Sequence, residues 1–288
     1  MYQGVHCGSC APHASYCIRL AHLLSTSVAA KRRAVRFASL GSGSEGNALV
    51  VQAGASTLMI DCGFGINETI SRCARLGLAP EAVDAIIITH EHGDHVGGAP
   101  RFARRFKIPV WLTFGTLSAT ESRWDGCTLR GFDSHDAFVV GDLEVQPFPV
   151  PHDAREPAQM TVNDGIRKLG VLTDVGETTA HIEASLTDCD ALFLEANHCE
   201  NLLAQSAYPP SLKARISGRF GHLSNRASAE LLARIAGDRL QRVVAAHLSR
   251  QNNRADLAQA AFAAALGGEL EDIFIASQDE GIGWVDLN

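Results

Sequence analysis

The chain has 288 residues, of which 46% are hydrophobic and 20% are charged. This balance is typical of a globular protein and argues against disorder, and the length allows one large α/β domain or two small ones. No apolar run approaches the roughly 20 residues that span a bilayer, which argues against a membrane protein. Because the eight cysteines are scattered and no secretory signal is evident, we interpret them as reduced thiols of a cytoplasmic protein.

The net charge of −7 is unevenly distributed. Residues 211–254 contain nine basic and two acidic side chains, which give this stretch a charge of +7. An anion-binding face would explain the excess, and so would the solvated sides of amphipathic helices. Arg215, Arg219 and Arg250 are the candidate substrate contacts in this stretch.

Residues 1–34 differ from the rest of the chain. They contain Cys7, Cys10 and Cys17, three histidines and a basic run at 31–33. We predict a poorly ordered N-terminal extension, although a Cys-x-x-Cys pair near histidines also fits a metal knuckle. The folded domain is expected to cover residues 35–288.

Strand and helix patterns alternate beyond residue 34, in two similar halves. In the first half we predict, in chain order, strands at 35–40, 48–51 and 57–60, a helix at 67–77, a strand at 85–88, a helix at 101–106 and a strand at 109–112. In the second half we predict strands at 138–140, 143–148 and 170–172, a helix at 178–186, a strand at 191–194, helices at 200–218 and 224–236, a strand at 242–246, a helix at 254–266 and a strand at 272–276. Because Asp84 and Asp190 precede equivalent apolar runs, we expect a pseudo-duplicated sandwich of two sheets with helices outside.

A cluster of metal-competent residues directly follows one predicted buried strand, in Thr89-His90-Glu91-His92-Gly93-Asp94-His95. On an irregular turn, this spacing lets the first two histidines face one ion and the aspartate and last histidine another. Imidazole suits zinc, and a carboxylate also permits manganese or iron. His152, Asp174 and His247 each follow another apolar run, and residues at strand ends converge on active sites. Together these residues favour a metal centre over a surface turn rich in histidine.

The order His-x-His-x-Asp-His, followed by a distant His, Asp and His, resembles the metallo-β-lactamase superfamily from about residue 35 onward. The resemblance implies an α/β fold, an αββα sandwich of two packed mixed sheets, with Asp61 as a structural acid. Gly93 departs from many relatives, which have Ser at this non-ligand position. The implied ligands are His90, His92 and His152 for one divalent ion, Asp94, His95 and His247 for a second, and Asp174 as a bridge.

Several segments are similar to the YycJ/WalJ-type proteins of that superfamily, which are described as DNA exonucleases. The similar segments are 39–47, 151–154, 194–198, 208–210, 221–225 and 246–253. The resemblance implies an exonuclease with two zinc or manganese ions that degrades DNA in the 5′ to 3′ direction. The last third also resembles ribonuclease Z, which leaves RNA processing as an alternative.

The predicted reaction is attack on phosphorus by water that two divalent cations activate. The candidate catalytic residues are Asp94, His222 and Glu195, and Asp174 would help position the water. His222 would protonate the leaving 3′ oxygen, while Glu195 would orient its ring and raise its pKa. A helix-capping role beside Ser224 is the alternative for His222.

The 42–47 loop has small residues and exposed amides that can bind an oxyanion. Its candidate substrate contacts are Ser42, Ser44 and Asn47, although its glycines are also explained by a tight turn. Four aromatic residues offer base-stacking faces or belong to the core: Trp111, Phe114, Trp124 and Tyr208.

Two other functions fit the same ligands. One is a small-molecule hydrolase acting on a cyclic phosphodiester, thioester or lactam, and the other is a metal-free scaffold. The filled ligand positions argue against the scaffold. The basic stretch and the Glu195/His222 pair favour phosphodiesters. The resemblance to the YycJ/WalJ-type proteins implies nucleic acid, specifically DNA, as the partner, and no membrane association is expected.

Overall fold

Two seven-stranded sheets form the centre of the molecule in the computed structural model, which describes residues 1, 35–268 and 273–288. The predicted N-terminal extension and its Cys-x-x-Cys pair lie outside the described residues. The strands are β1 (Arg36–Gly41), β2 (Ala48–Ala53), β3 (Ser56–Ile60), β4 (Ala85–Ile87), β5 (Val110–Leu112), β6 (Leu129–Gly131), β7 (Phe138–Val140), β8 (Leu143–Pro149), β9 (Ala158–Asn163), β10 (Lys168–Leu172), β11 (Ala191–Glu195), β12 (Arg242–Ala246), β13 (Ile273–Ile275) and β14 (Ile282–Asp286).

Helices follow many of these strands. They are α1 (Ile66–Arg75), α2 (Gly93–Val96), α3 (Ala99–Phe106), α4 (Phe114–Thr120), α5 (Ala180–Leu186), α6 (Glu200–Gln205), α7 (Pro210–Ile216), α8 (Asn225–Ile235) and α9 (Ala255–Leu266). None of the helices in the described ranges combines the length and the apolar character needed to cross a membrane.

The two sheets have matching strand orders. The first runs β14-β1-β2-β3-β4-β5-β6 and the second runs β13-β12-β11-β10-β9-β8-β7. In each sheet antiparallel pairs give way to parallel ones, at β3 in the first and at β10 in the second. The ends of the parallel strands therefore lie at one edge of the sandwich, where the predicted ligands follow them.

Alternating side chains divide the core into three layers. Ala85 and Ile87 of β4 face the cluster between the sheets, whereas Ile86 and the following Ile88 pack outward with residues of α1 and α3. The second sheet buries its outer face against α5, α8 and α9. Strands buried on both faces produce continuous apolar runs in the sequence. The predicted αββα sandwich of two mixed sheets is confirmed.

The expected internal duplication is visible in two equivalent aspartates. Asp84 accepts a hydrogen bond from Thr57 N, and Asp190 accepts one from Lys168 N, each at 2.8 Å. Each carboxylate therefore ties the start of one parallel strand to the start of its neighbour. Equivalent contacts in the two sheets explain the similar sequence at these points.

Some elements differ from the prediction. Strand β9 was not predicted, because its buried Gln159 and Thr161 break the apolar run that marks a buried strand. The predicted helix 200–218 is two short helices, since Pro209 and Pro210 interrupt the hydrogen-bonding pattern between α6 and α7. Helix α4 and strands β6 and β14 were also not predicted.

Candidate metal centre

All seven predicted ligands meet at the strand ends. Donor atoms lie within 4.8 Å of one another in several sets: His90, His92 and His152; Asp94, His95 and His247; His90, His95 and Asp174; and Asp174, Glu195, His222 and His247. Asp174 stands between the first two sets. Its Oδ1 lies 3.9 Å from His152 Nε2 and 3.4 Å from His247 Nε2, and its Oδ2 lies 3.1 Å from His95 Nε2.

Left-handed backbone conformations orient three of the site's side chains. Asp61, Asp174 and His247 have φ values of 61°, 55° and 55°, and they follow β3, β10 and β12. Residues other than glycine rarely adopt this conformation, and such strain concentrates at functional sites. The turns bend the chain at each strand end so that these side chains point toward the same space.

Contacts behind the ligands fix the orientation of their rings. Asp61 Oδ2 lies 2.8 Å from His95 Nδ1, and Asp61 also accepts hydrogen bonds from the backbone and hydroxyl of Thr89. The predicted structural acid is therefore in direct contact with a predicted ligand. His152 Nδ1 lies 3.1 Å from the Gly221 carbonyl oxygen. Such contacts set the tautomer of metal-binding histidines.

Several donor atoms are buried without a hydrogen-bond partner, as metal ligands should be. His90 Nε2, His247 Nε2 and Asp174 Oδ2 are in this state, and such orphaned polar atoms are rare in folded proteins. The donors are imidazole nitrogens and carboxylate oxygens, which suit zinc and manganese. The residues present therefore fit a divalent metal site.

The charges of the site also favour cations. Burial opposes protonation of His95 and His247, yet nearby carboxylates, Asp174 foremost, hold the pKa of His95 well above its ordinary value and raise that of His247 to about 10. Burial lowers the pKa of His90, which is surrounded by other imidazoles. The excess negative charge is thus concentrated around Asp174, where protons or metal ions can compensate it.

His222 and Glu195 form the predicted pair at the edge of this centre. His222 Nδ1 lies 2.8 Å from Glu195 Oε1, and Glu195 is fully buried. Although burial opposes it, the Glu195 carboxylate raises the pKa of His222. Glu195 also accepts backbone hydrogen bonds from Asp174, Val175 and Leu223. It therefore connects the backbone at Asp174 to the segment that carries His222.

A cleft of about 340 Å³ lies in front of these residues. The site residues that line it are His92, Asp94, Asp174, His222 and His247, and the other lining residues include Ser44, Asn197, Tyr208, Arg215, Ser249 and Asn252. Of the aromatic residues considered for stacking, Tyr208 thus lies at the cleft. Trp124 is buried in the outer core, and Trp111 stacks on Phe138.

Ser42 and Asn47 take a different place from the one predicted. Ser42 Oγ accepts a hydrogen bond from His247 N, and Asn47 Nδ2 donates to Asp94 Oδ2 at 3.2 Å. Both residues are buried, at 2% and 7% exposure. Their polar atoms are used in these internal contacts, which hold the predicted ligands His247 and Asp94 in position. Ser44 is exposed at the cleft and stays a candidate substrate contact.

The basic stretch is not a uniform positive face. Seven of its arginines pair with acids, namely Arg215 with Asp153, Arg219 with Glu177, Arg226 with Glu200 and Glu230, Arg234 with Glu183, Arg239 with Asp190, Arg250 with Glu45 and Asp279, and Arg254 with Asp256. Most of the excess charge seen in the sequence is therefore compensated locally. Of the three predicted contacts, Arg215 lines the cleft.

Asp153 is a residue of the site that sequence reasoning missed. Its Oδ1 lies 3.5 Å from His152 Nε2 and 3.8 Å from His92 Nε2, and its Oδ2 lies 2.6 Å from Arg215 Nε. It links the first set of histidines to the arginine at the cleft. The signal was its position directly after His152 in the 151–154 segment.

Comparisons with known proteins agree with this geometry. Residues 56–248 match the family model described as Beta-lactamase superfamily domain. Exodeoxyribonuclease WalJ of Streptococcus pneumoniae is 31% identical over 228 residues, or 77% of this chain and 85% of that protein. Exodeoxyribonuclease YycJ of Bacillus anthracis is 32% identical over 228 residues, or 78% of this chain and 86% of that protein.

A solved structure extends the comparison to the fold. The metallo-β-lactamase fold protein YhfI of Bacillus subtilis matches with a TM-score of 0.68 at 15% identity, covering 88% of this chain and 99% of its own. At this identity the likeness concerns the fold alone. The matched family model and the two sequence relatives show that the chain belongs to the metallo-β-lactamase superfamily and, within it, to the family of WalJ and YycJ.

Proposed function

We propose that the chain is a metal-dependent exodeoxyribonuclease that degrades DNA in the 5′ to 3′ direction. The observation that carries the proposal is the His222–Glu195 pair, 2.8 Å apart, at the edge of a buried donor cluster. A general acid beside a divalent metal site suits a phosphodiester, whose alkoxide leaving group needs a proton. The relatives named exodeoxyribonucleases support DNA as the substrate.

Two divalent ions, zinc or manganese, are part of this proposal. The first would be held by His90, His92 and His152, the second by Asp94, His95 and His247, and Asp174 would contact both. When bound, they would activate water at neutral pH and stabilise the negative charge that develops on the phosphate.

The residues of the chain would handle the proton of the leaving group. His222 shares its Nδ1 with Glu195, which leaves Nε2 for the substrate, and its ring lines the cleft. Glu195 favours the protonated ring, so that His222 can deliver a proton to the 3′ oxygen as the P–O bond breaks. Arg215 at the cleft would hold a neighbouring phosphate.

Digestion of end-labelled single- and double-stranded DNA and RNA, with manganese or zinc added, tests this function. We expect 5′-labelled DNA to lose its label as mononucleotide from the first time points, while 3′-labelled DNA shortens progressively. RNA should be cut more slowly. Faster cleavage of RNA, or hydrolysis confined to a thioester, a lactam or a cyclic phosphodiester, would contradict the proposal.

Replacing Arg215 with Ala is expected to raise the KM for DNA about tenfold, the effect of losing one charge-assisted contact. The slope of log affinity against log salt concentration should fall by about 1, since one phosphate contact is lost. Titrations of labelled DNA at several salt concentrations measure both effects.

Arg234 provides the matched control for Arg215. It is also an exposed arginine with an acidic partner, Glu183, but it lies on α8 outside the cleft lining. Arg234→Ala should leave KM and the salt slope unchanged. Equal effects of the two substitutions would mean that DNA contacts the basic stretch without regard to the cleft.

A further inference from the structure

Phe220 is an exposed aromatic residue in the segment that carries His222. The side chain of Phe220 is 50% exposed. Within residues 35–268 and 273–288, the other exposed large apolar residues are Phe114, Val139, Ile166 and Phe274. Single exposed apolar residues are common on protein surfaces, so exposure by itself indicates little. The position of Phe220 distinguishes it.

The backbone of Phe220 lies next to the metal centre. Its carbonyl oxygen accepts a hydrogen bond of 3.1 Å from the backbone N–H of Asp153. The carbonyl of the next residue, Gly221, lies 3.1 Å from Nδ1 of the ligand His152. His222, the proposed general acid, follows directly. The backbone that carries the ring is therefore held between the first set of histidines and the proposed proton donor.

The turn that carries the ring is firmly held. Gly221 N donates to Gly218 O and His222 N donates to Ile216 O, each at 2.8 Å. The Arg219 carbonyl packs against Gly176 so closely that a Cβ at Gly176 would collide with it. An aromatic side chain on a fixed turn loses little conformational entropy when it contacts a ligand.

An arginine paired with an acid accompanies the ring. The Arg219 guanidinium lies 5.1 Å from the centre of the Phe220 ring and is held by Glu177. Aromatic rings and guanidinium groups are both used to bind single-stranded nucleic acid, the ring by stacking on a base and the cation by contacting the backbone or a base face. The chemistry of this corner therefore matches an unpaired nucleotide.

We propose that Phe220 is a specificity-determining residue that stacks on a nucleobase of the DNA strand entering the site. The proposal rests on the proposed nuclease function and names its substrate class more closely: a strand end whose base is free of pairing. A base in a duplex is stacked and paired, so it must be freed before it can contact the ring. Frayed or single-stranded ends are then the preferred substrates.

A double-mutant cycle that combines Phe220 variants with abasic DNA substrates tests this contact. The parent chain, Phe220→Ala and Phe220→Trp are compared on single-stranded DNA and on matched oligonucleotides with one abasic unit at the first, second or third position from the end. We expect Phe220→Ala to raise KM about tenfold on intact DNA, within the range for losing one stacked base, and Phe220→Trp to restore it. At one abasic position the parent and Phe220→Ala should become equal, because no base remains to stack.

Phe274→Ala is the matched control, since Phe274 is an exposed phenylalanine (36%) on β13, outside the segment that carries His222. It should behave like the parent. An unchanged KM in Phe220→Ala, or an equal loss at all abasic positions, would overturn the proposal. The proposal would also be overturned if Phe220→Ala changed the molar mass measured by light scattering but left DNA digestion unaffected. Phe220 would then be a contact between two copies of the chain. If the parent digests no DNA at all, the proposed function fails first and this assignment fails with it.

Discussion

Replacing Asp174 with Asn is expected to reduce hydrolysis to background and to lower the bound metal. Its carboxylate oxygens lie 3.9 Å from His152 Nε2 and 3.1 Å from His95 Nε2, one histidine from each predicted set of ligands. Asn preserves the shape and tolerates left-handed backbone, so the main loss is one negative charge. Without that charge two cations would repel each other in a buried, weakly screened site. Elemental analysis of dialysed protein and turnover of DNA measure the two effects.

Asp188 offers a closely matched control for this substitution. It also has left-handed backbone, with φ of 60° against 55° for Asp174, but it is exposed and lies between α5 and β11. Asp188→Asn should keep the metal and the activity of the parent. Parental turnover in Asp174→Asn, with metal fully retained, would show that the ligand assignment is wrong.

Replacing His222 with Ala is expected to keep the metal and to slow DNA cleavage about 10²–10⁴-fold, the usual range for losing a general acid. Glu195 would still accept three backbone hydrogen bonds, from Asp174, Val175 and Leu223, so the carboxylate should stay in place. Bis-p-nitrophenyl phosphate should be affected much less, because p-nitrophenolate leaves without needing a proton. Initial rates on the two substrates, with metal content measured in parallel, give the result.

The comparison of substrates separates an acid from a structural residue. Equal losses on DNA and on the p-nitrophenyl ester, or a loss of metal, would assign His222 to the metal centre or to the fold. His181→Ala serves as the control, since His181 is an exposed histidine on α5. It should leave both rates unchanged.

Much of the fold followed from local patterns. The unbroken apolar run before His90 and the runs before Asp174 and His247 predicted buried strands, and these became β4, β10 and β12. Strand β9 was harder to predict because its buried polar side chains find their hydrogen-bond partners in residues that are distant in sequence. Gln159 Nε2, for example, donates to the Thr173 carbonyl, a partner that no local pattern indicates.

Cysteine usage was predictable in the same way. The five cysteines in the described residues are free thiols, in agreement with the expected reduced state. Burial raises the pKa of Cys62 and Cys73 to about 12 in both cases. These thiols therefore serve as small apolar core residues. The cytoplasmic location stays a prediction.

The sequence by itself determined which residues are predicted to bind metal, because metal ligands are particular side chain types and the strands that precede them are readable from their apolar runs. Only the tertiary structure decided the roles that depend on distant partners. In the folded chain Ser42 and Asn47 are buried and make internal hydrogen bonds. Asp153 forms an ion pair with Arg215, and Phe220 is exposed two residues before His222. The positive charge of the basic stretch is compensated by acids as far away in sequence as Glu45. No sequence pattern indicates this, because the energy of a charge pair depends on distance in space and not on spacing along the chain.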